Sequence, residues 1–206
     1  GEGLPGLVLS LCEYNGELFA GTYEDIADAR GCVFRWDGSS WHPVAYTEGR
    51  DHGVLALCVF NGELIASGTL NVIEGLEVTG VARWDGTTWR ALQGEISGSY
   101  GAALALEVFD GSLYAGGVFD SVDGVLCPGI ARWDGESWHG LGTESFSLWL
   151  VFALKSVGDR LIVGGYFDAD SESNTPTVCA WDGEGWSRLG EGGEARGVRM
   201  ARHLHR

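Results

Sequence analysis

Four runs dense in Leu, Val and Phe mark the chain, at Leu7 to Tyr14, Val54 to Phe60, Ala102 to Phe109 and Val151 to Val157. Their apolar residues are continuous rather than alternating, the pattern of a strand covered on both faces, as for the innermost strand of a stacked sheet. A small residue holds one fixed place in each run, Ser10, Ala56, Ala105 and Ala153, where neighbouring sheets are expected to come closest. Each run ends in a two-residue turn: Asn15-Gly16, Asn61-Gly62, Asp110-Gly111 or Gly158-Asp159. Such pairs supply the positive φ values of primed hairpin turns. Second strands follow over Glu17 to Gly21, Glu63 to Gly68, Ser112 to Gly117 and Arg160 to Gly165.

Polar positions then take over. Long acidic loops run over Thr22 to Gly31, Thr69 to Gly80, Val118 to Gly129 and Tyr166 to Pro176, and they differ most from one another. Variable loops on a repeated scaffold are where recognition is usually placed. A third strand ends in Trp-Asp-Gly, and a fourth opens on a second Trp after a short turn. The ring pairs are Trp36 and Trp41, Trp84 and Trp89, Trp133 and Trp138, and Trp181 and Trp186. Rings at hairpin ends can stack across strands and fill the wedge between sheets, each burying on the order of 200 Å². These eight Trp are read as framework, since a ligand site has no need of the same ring in every repeat.

The Asp-Gly pairs at Asp37, Asp85, Asp134 and Asp182 recur at intervals of 48, 49 and 48 residues. Four short strands per repeat of about this length describe an all-β chain, a β-propeller of four-stranded antiparallel blades. Blade boundaries are expected at 7–49, 50–98, 99–145 and 146–190. Beyond them, Val198-Arg199-Met200-Ala201 falls in register with Leu150-Val151-Phe152-Ala153, so the basic tail 191–206 reads as the start of a truncated fifth blade. The first repeat has its own inner strand, so the tail is not needed for ring closure by strand exchange. The chain is thus expected to be a fragment of a larger propeller.

The series Leu113-Tyr114-Ala115-Gly116-Gly117, then Trp133-Asp134, then Trp138, resembles the kelch-type repeat. It is more similar still to the repeats of bacterial secreted and fungal cell-surface propellers, which read Leu-Tyr-x-Gly-Gly-x-Phe and later Ala-Arg-Trp-Asp-Gly-x-x-Trp. The resemblance covers residues 7–190 and implies the propeller fold and an extracellular or cell-surface setting. The first two repeats depart from it, carrying Gly21-Thr22 and Ser67-Gly68 in place of the double glycine. The Trp-Asp dipeptide also resembles the Trp-Asp repeat propellers, but their Gly-His pair has no counterpart.

Charge is lopsided. Before residue 196 there are 29 acidic side chains against nine basic ones, while the tail carries four arginines, for a net charge of −16. A body of that sign repels phosphate, which argues against nucleic acid as a partner. Apolar runs such as Phe146 to Leu154 fall far short of the roughly 20 residues of a membrane span, so no membrane insertion is expected. Five cysteines, an odd number without Cys-x-x-Cys spacing, point to buried thiols rather than zinc or a disulfide framework.

Candidate chemistry is sparse. Asp168, Asp170, Glu172 and Asn174 have the alternating oxygen rhythm of a calcium loop, but its turning glycine and bidentate Glu are missing, so no calcium is expected there. Asp120 and Asp123 before Gly124 form a shorter acidic candidate. With Asp168, Asp170 and Glu172 they make up the expected binding acids. No catalytic residue is assigned. His42 and His139 share one repeat position, which favours structure, and the nearest materials here for the copper centre of the kelch-type galactose oxidase, Tyr166, Tyr114 and Cys127, have no supporting His on the loops. Glu107 and Lys155 occupy equivalent places on adjacent inner strands, where the first two repeats have Cys12 and Cys58. The four are expected to neighbour one another, with removal of either charge leaving the other uncompensated. The function expected is a noncatalytic recognition or scaffold module that takes a protein or glycan on its variable acidic loops. The alternative is a propeller enzyme, a glycoside hydrolase or oxidase, with loop acids at the channel mouth.

Overall fold

The computed structural model describes residues 3–23, 32–48, 53–98, 100–142, 147–168 and 175–189, and among these all regular structure is β. The first repeat forms one antiparallel sheet of β1 (Leu7–Tyr14), β2 (Glu17–Tyr23), β3 (Cys32–Trp36) and β4 (Trp41–Tyr46), in chain order. The second is β5 (Val54–Phe60), β6 (Glu63–Gly68), a small hairpin of β7 (Val72–Ile73) and β8 (Leu76–Glu77), then β9 (Val81–Trp84) and β10 (Trp89–Ala91). After β11 (Ile96–Ser97), the third comprises β12 (Ala102–Phe109), β13 (Ser112–Val118), a hairpin of β14 (Ser121–Val122) and β15 (Val125–Leu126), then β16 (Ile130–Trp133) and β17 (Trp138–Gly140). The fourth is β18 (Ser147–Val157), β19 (Arg160–Asp168), β20 (Thr175–Trp181) and β21 (Trp186–Leu189). Leaving the small hairpins aside, all four sheets are meanders of four strands.

Local chemistry explains the meander. At Asn15-Gly16, Asn61-Gly62 and Asp110-Gly111 both residues take positive φ, from 46° to 79°, as a type I′ turn demands. The fourth turn is also primed, but of the other type. Only Gly158 is positive, at 60°, so Gly158-Asp159 follows the type II′ rule of glycine first. At the other end, each Asp-Gly turn is tied by its own aspartate. Oδ1 of Asp37, Asp85, Asp134 and Asp182 accepts the backbone N–H groups two and three residues on, at 2.8–2.9 Å. An Asx turn of this kind competes well with extended backbone and stops the third strand.

The sheets stack face to face in a row. Inner strand β1 lies against β5, β5 against β12, and β12 against β18, whereas among the described residues no comparable contact joins β18 back to β1. The core is therefore three interlayers. One holds Tyr14, Phe19, Val54, Leu57 and Leu64. The next holds Phe60, Ile65, Ala103, Leu106 and Leu113. The last holds Phe109, Tyr114, Val151, Leu154 and Leu161. Inner strands buried on both faces are found only where a sheet precedes and follows. β1, read from its apolar run as covered, is exposed along Leu7, Val8, Leu9 and Leu11, because no described sheet lies in front of it.

Every inner strand bulges at the same place, just before the small residue: between Val8 and Ser10, Val54 and Ala56, Ala103 and Ala105, and Val151 and Ala153. The glycines opposite serve this bulge. A Cβ on Gly117 would stand 2.0 Å from the Ala102 carbonyl oxygen, and one on Gly116 would stand 2.4 Å from Val151 Cγ1 of the next sheet. The double glycine thus admits both the bulged partner strand and the neighbouring sheet.

Candidate recognition face

Two of the four acidic loops lie largely within the described residues, and neither is irregular. In the second repeat, Glu74 (φ 49°) and Gly75 turn the β7–β8 hairpin. This hairpin latches onto the preceding sheet: Ile73 bridges to Thr47, the Glu74 N–H donates to the Tyr46 carbonyl at 3.0 Å, and the Tyr46 N–H donates to Glu74 Oε1 at 2.6 Å. In the third repeat, Asp123 (φ 51°) and Gly124 turn β14–β15. There β14 pairs with β11, and the Asp120 and Asp123 N–H groups donate to the Ser97 and Glu95 carbonyls at 2.8 and 2.9 Å. Buried Leu70, Ile73 and Val78 in one case, and Phe119, Val122 and Cys127 in the other, anchor the hairpins from below. Each is a clasp onto residues of the preceding repeat, with its backbone hydrogen-bonded in place.

Of the acids expected to bind, Asp120 and Asp123 are exposed on the β14–β15 clasp. Asp123 is a turn-former, since its left-handed backbone is what the Asp-Gly pair supplies. Asp168 ends β19 opposite Ser147. Asp170, Glu172 and Asn174, and with them the calcium question, lie outside the described residues, as do the tail 191–206 and most of the first loop. Among the described residues no group of three or more His, Cys, Asp or Glu is placed to hold a metal ion. No helix there is long and apolar enough to cross a membrane.

The same face carries apolar side chains that the sequence reading passed over: Tyr46, Tyr100, Val125 and Leu126. Tyr100 is 80% exposed and Leu126 54%, beside the β11–β14–β15 sheet. Ser121-Val122-Asp123-Gly124-Val125-Leu126 is an Asp-Gly pair flanked by apolar residues, a hairpin signal that was masked by its acidic surroundings.

At the opposite end the ring pairs meet across β3–β4, β9–β10, β16–β17 and β20–β21, with centroids 5.2–6.0 Å apart. Trp89, Trp133 and Trp138 are buried, while Trp36, Trp41, Trp84, Trp181 and Trp186 are half-buried. Two of the indoles reach back across an interlayer: Trp138 Nε1 donates to the Gln93 carbonyl at 2.6 Å and Trp186 Nε1 to the Leu141 carbonyl at 2.9 Å. His42 and His139 each hydrogen-bond their own turn aspartate, Asp37 and Asp134, at 2.6 Å. Their shared position thus serves the turn.

On the inner strands, Lys155 Nζ lies 2.9 Å from Glu107 Oε1, in the register expected. Cys12 and Cys58 are thiols, and burial raises both above the ordinary value, Cys12 also feeling Glu13 and Cys58 also feeling Cys12 and Glu107. The charge pair differs from expectation in one respect. The Lys155 side chain is 71% exposed, so water compensates it when Glu107 is removed. Glu107 is held mainly by Ser156, whose N–H and Oγ donate to the same Oε1 at 3.0 and 2.6 Å. Burial by itself raises the Glu107 carboxyl, but the Ser156 bonds and Lys155 outweigh it and hold it below its ordinary 4.5. Glu107→Ala is therefore expected to destabilise more than Lys155→Ala, with the double variant close to Glu107→Ala alone. The folded carboxyl lies below its unfolded value, so its contribution is full above about pH 4.5 and is lost as pH falls through the lowered folded value. Urea melts at about pH 6 and about pH 3 should show a smaller acid loss for Glu107→Gln than for the parent chain.

No family model and no curated protein matches the chain. A solved structure does. The crystal structure of the computationally designed Ika4 protein superposes with a TM-score of 0.51, over 87% of this chain and 93% of that one, at 16% identity. At that identity the likeness speaks for the all-β fold alone.

Proposed function

We propose that the four sheets are successive blades of a β-propeller and that the chain is a noncatalytic recognition module, taking a protein or glycan on the loop face. One observation carries this reading: Val125 and Leu126, and Tyr100 shortly after β11, stand exposed where the β14–β15 hairpin is hydrogen-bonded to residues 95–97 of the preceding repeat. Apolar side chains pre-positioned in this way lose little freedom on binding, and an aromatic ring supplies contact area with few rotatable bonds. Asp120 and Asp123 are exposed at the same hairpin and suit hydroxyl or basic partners. A secreted or cell-surface setting is part of the proposal, resting on the repeat resemblance alone.

A glycan array, together with retention on immobilised cell-surface proteins, tests the reading with the parent chain and with Tyr100→Ser and Leu126→Ser. Both substitutions touch exposed side chains and should leave the fold intact. Binding that falls at least about tenfold in both variants supports the reading. Binding unaffected by either, or turnover of a glycoside by the parent chain, overturns it.

A further inference from the structure

Among the described residues, the two ends of the row of sheets each present half of an interlayer that is built three times between them. On the leading side, Val8, Leu11 and Leu18 are 44%, 59% and 37% exposed. Their counterparts one, two and three repeats on are Val54, Leu57 and Leu64, then Ala103, Leu106 and Leu113, then Val151, Leu154 and Leu161. None of these nine is more than 8% exposed, and each packs on the sheet in front. On the trailing side, Val157 is 58% exposed where Tyr14, Phe60 and Phe109 are buried, and Leu189 is 41% exposed where Leu92 and Leu141 are buried. Apolar surface of this extent at both ends marks an interaction face.

The halves also match in shape and charge. Gly21 receives Val54 of the next sheet, and Gly116 receives Val151, each so closely that a Cβ would clash. Gly164 holds the same place in the fourth sheet, yet a Cβ there would meet only Ala153 of its own sheet, at 3.7 Å. It is a vacant seat for a valine, and Val8 is the valine in register. Glu107 reaches forward to Lys155 and Ser156. One repeat further, Lys155 stands where Glu107 stood, and the residues facing it in a following first sheet are Cys12 and Glu13. Lys155 would then meet Glu13, an opposite charge, and both side chains are exposed in the single chain.

We infer that the partner of these two faces is a second copy of this chain, the fourth sheet of each copy packing on the first sheet of the other. Two such head-to-tail contacts close a two-fold ring of eight blades, within the range of about four to eight known for propellers, whereas three copies overshoot it. The inference rests on the propeller reading above but not on the ligand of the loop face.

Sedimentation equilibrium of the full chain tests it, with Leu11→Glu, Glu13→Lys and a chain ending at residue 190 alongside. The parent is expected at twice its 22.0 kDa at high micromolar concentration. Leu11→Glu should be monomeric with an unchanged circular dichroism spectrum, and Glu13→Lys should raise the dimer dissociation constant by at least about tenfold. The shortened chain should dimerise as the parent does, and negative-stain images of the dimer should show an eight-lobed ring. A monomeric parent overturns the inference, as it would where the tail or further blades of a longer chain cover these faces. A dimer indifferent to Leu11→Glu, a dimer lost on removing residues 191–206, or a dimer of another outline overturns it as well. A monomer imaged as a four-lobed arc would leave the propeller reading standing while removing the dimer.

Discussion

Trp138→Ala is expected to lower the unfolding free energy by about 4 kcal/mol, within the range of roughly 3–5 for deleting a large buried ring. Three losses combine. The ring is 4% exposed, so its apolar area returns to water and a void opens between the second and third sheets. The Trp133 ring, 5.4 Å away, loses its partner. The Gln93 carbonyl loses the indole N–H that donates to it across the interlayer. Neighbours cannot close the void cheaply, because Gly94 already lies so close that a Cβ there would stand 2.5 Å from the Trp138 ring, and the backbone around it is pinned. Trp41→Ala, at the same place in the first repeat, should cost less than half as much, since no described sheet precedes it and the ring is only half-buried. Urea unfolding of both variants checks the contrast. Equal losses would mean that the ring acts within its own hairpin rather than between sheets.

The meander itself was legible because its signals are local. Asn-Gly and Asp-Gly turns demand positive φ, apolar runs end at them, and each Asx turn needs only a residue and its next three neighbours. The neighbourhood of Glu107 and Lys155 was legible for a related reason: a repeat places equivalent residues side by side once the sheets stack. Two things were not. Continuous hydrophobicity in Leu7 to Tyr14 reads as burial on both faces, but burial depends on what stands in front of the strand, which its own residues do not encode. The acidic stretches were read as long loops, since charge and length hid the Glu74-Gly75 and Asp123-Gly124 turns that make them hairpins on the preceding repeat. Tyr100 and Leu126 escaped notice with them, because a ring in a Gly-rich connection and a Leu after a turn have no periodic partner to announce them. Asp120 and Asp123 were thus legible as acids before a glycine, whereas Val125 and Leu126, which share their hairpin, were not.

Position in the row of sheets, rather than residue type, should then set the cost of a matched series of truncations. Leu64, Leu113 and Leu161 begin the second strands of successive sheets, are each fully buried, and pack on the sheet in front. Leu→Ala at each should cost about 3 kcal/mol, from lost transfer energy plus a residual cavity in a span of roughly 2–5. Leu18 has the same identity, strand position and hairpin context, yet is 37% exposed. In the Leu11→Glu background, where the chain is expected to be monomeric, Leu18→Ala should cost less than about 1 kcal/mol. In the parent background at high concentration the same change should weaken self-association, because Leu18 then occupies an interlayer like its three counterparts. The double comparison separates intrinsic from positional effects, since local propensity is equal at all four sites and cancels. A Leu18→Ala cost near 3 kcal/mol in the monomer would show that β2 is already covered by its own chain, and the row of sheets would then have no open leading face.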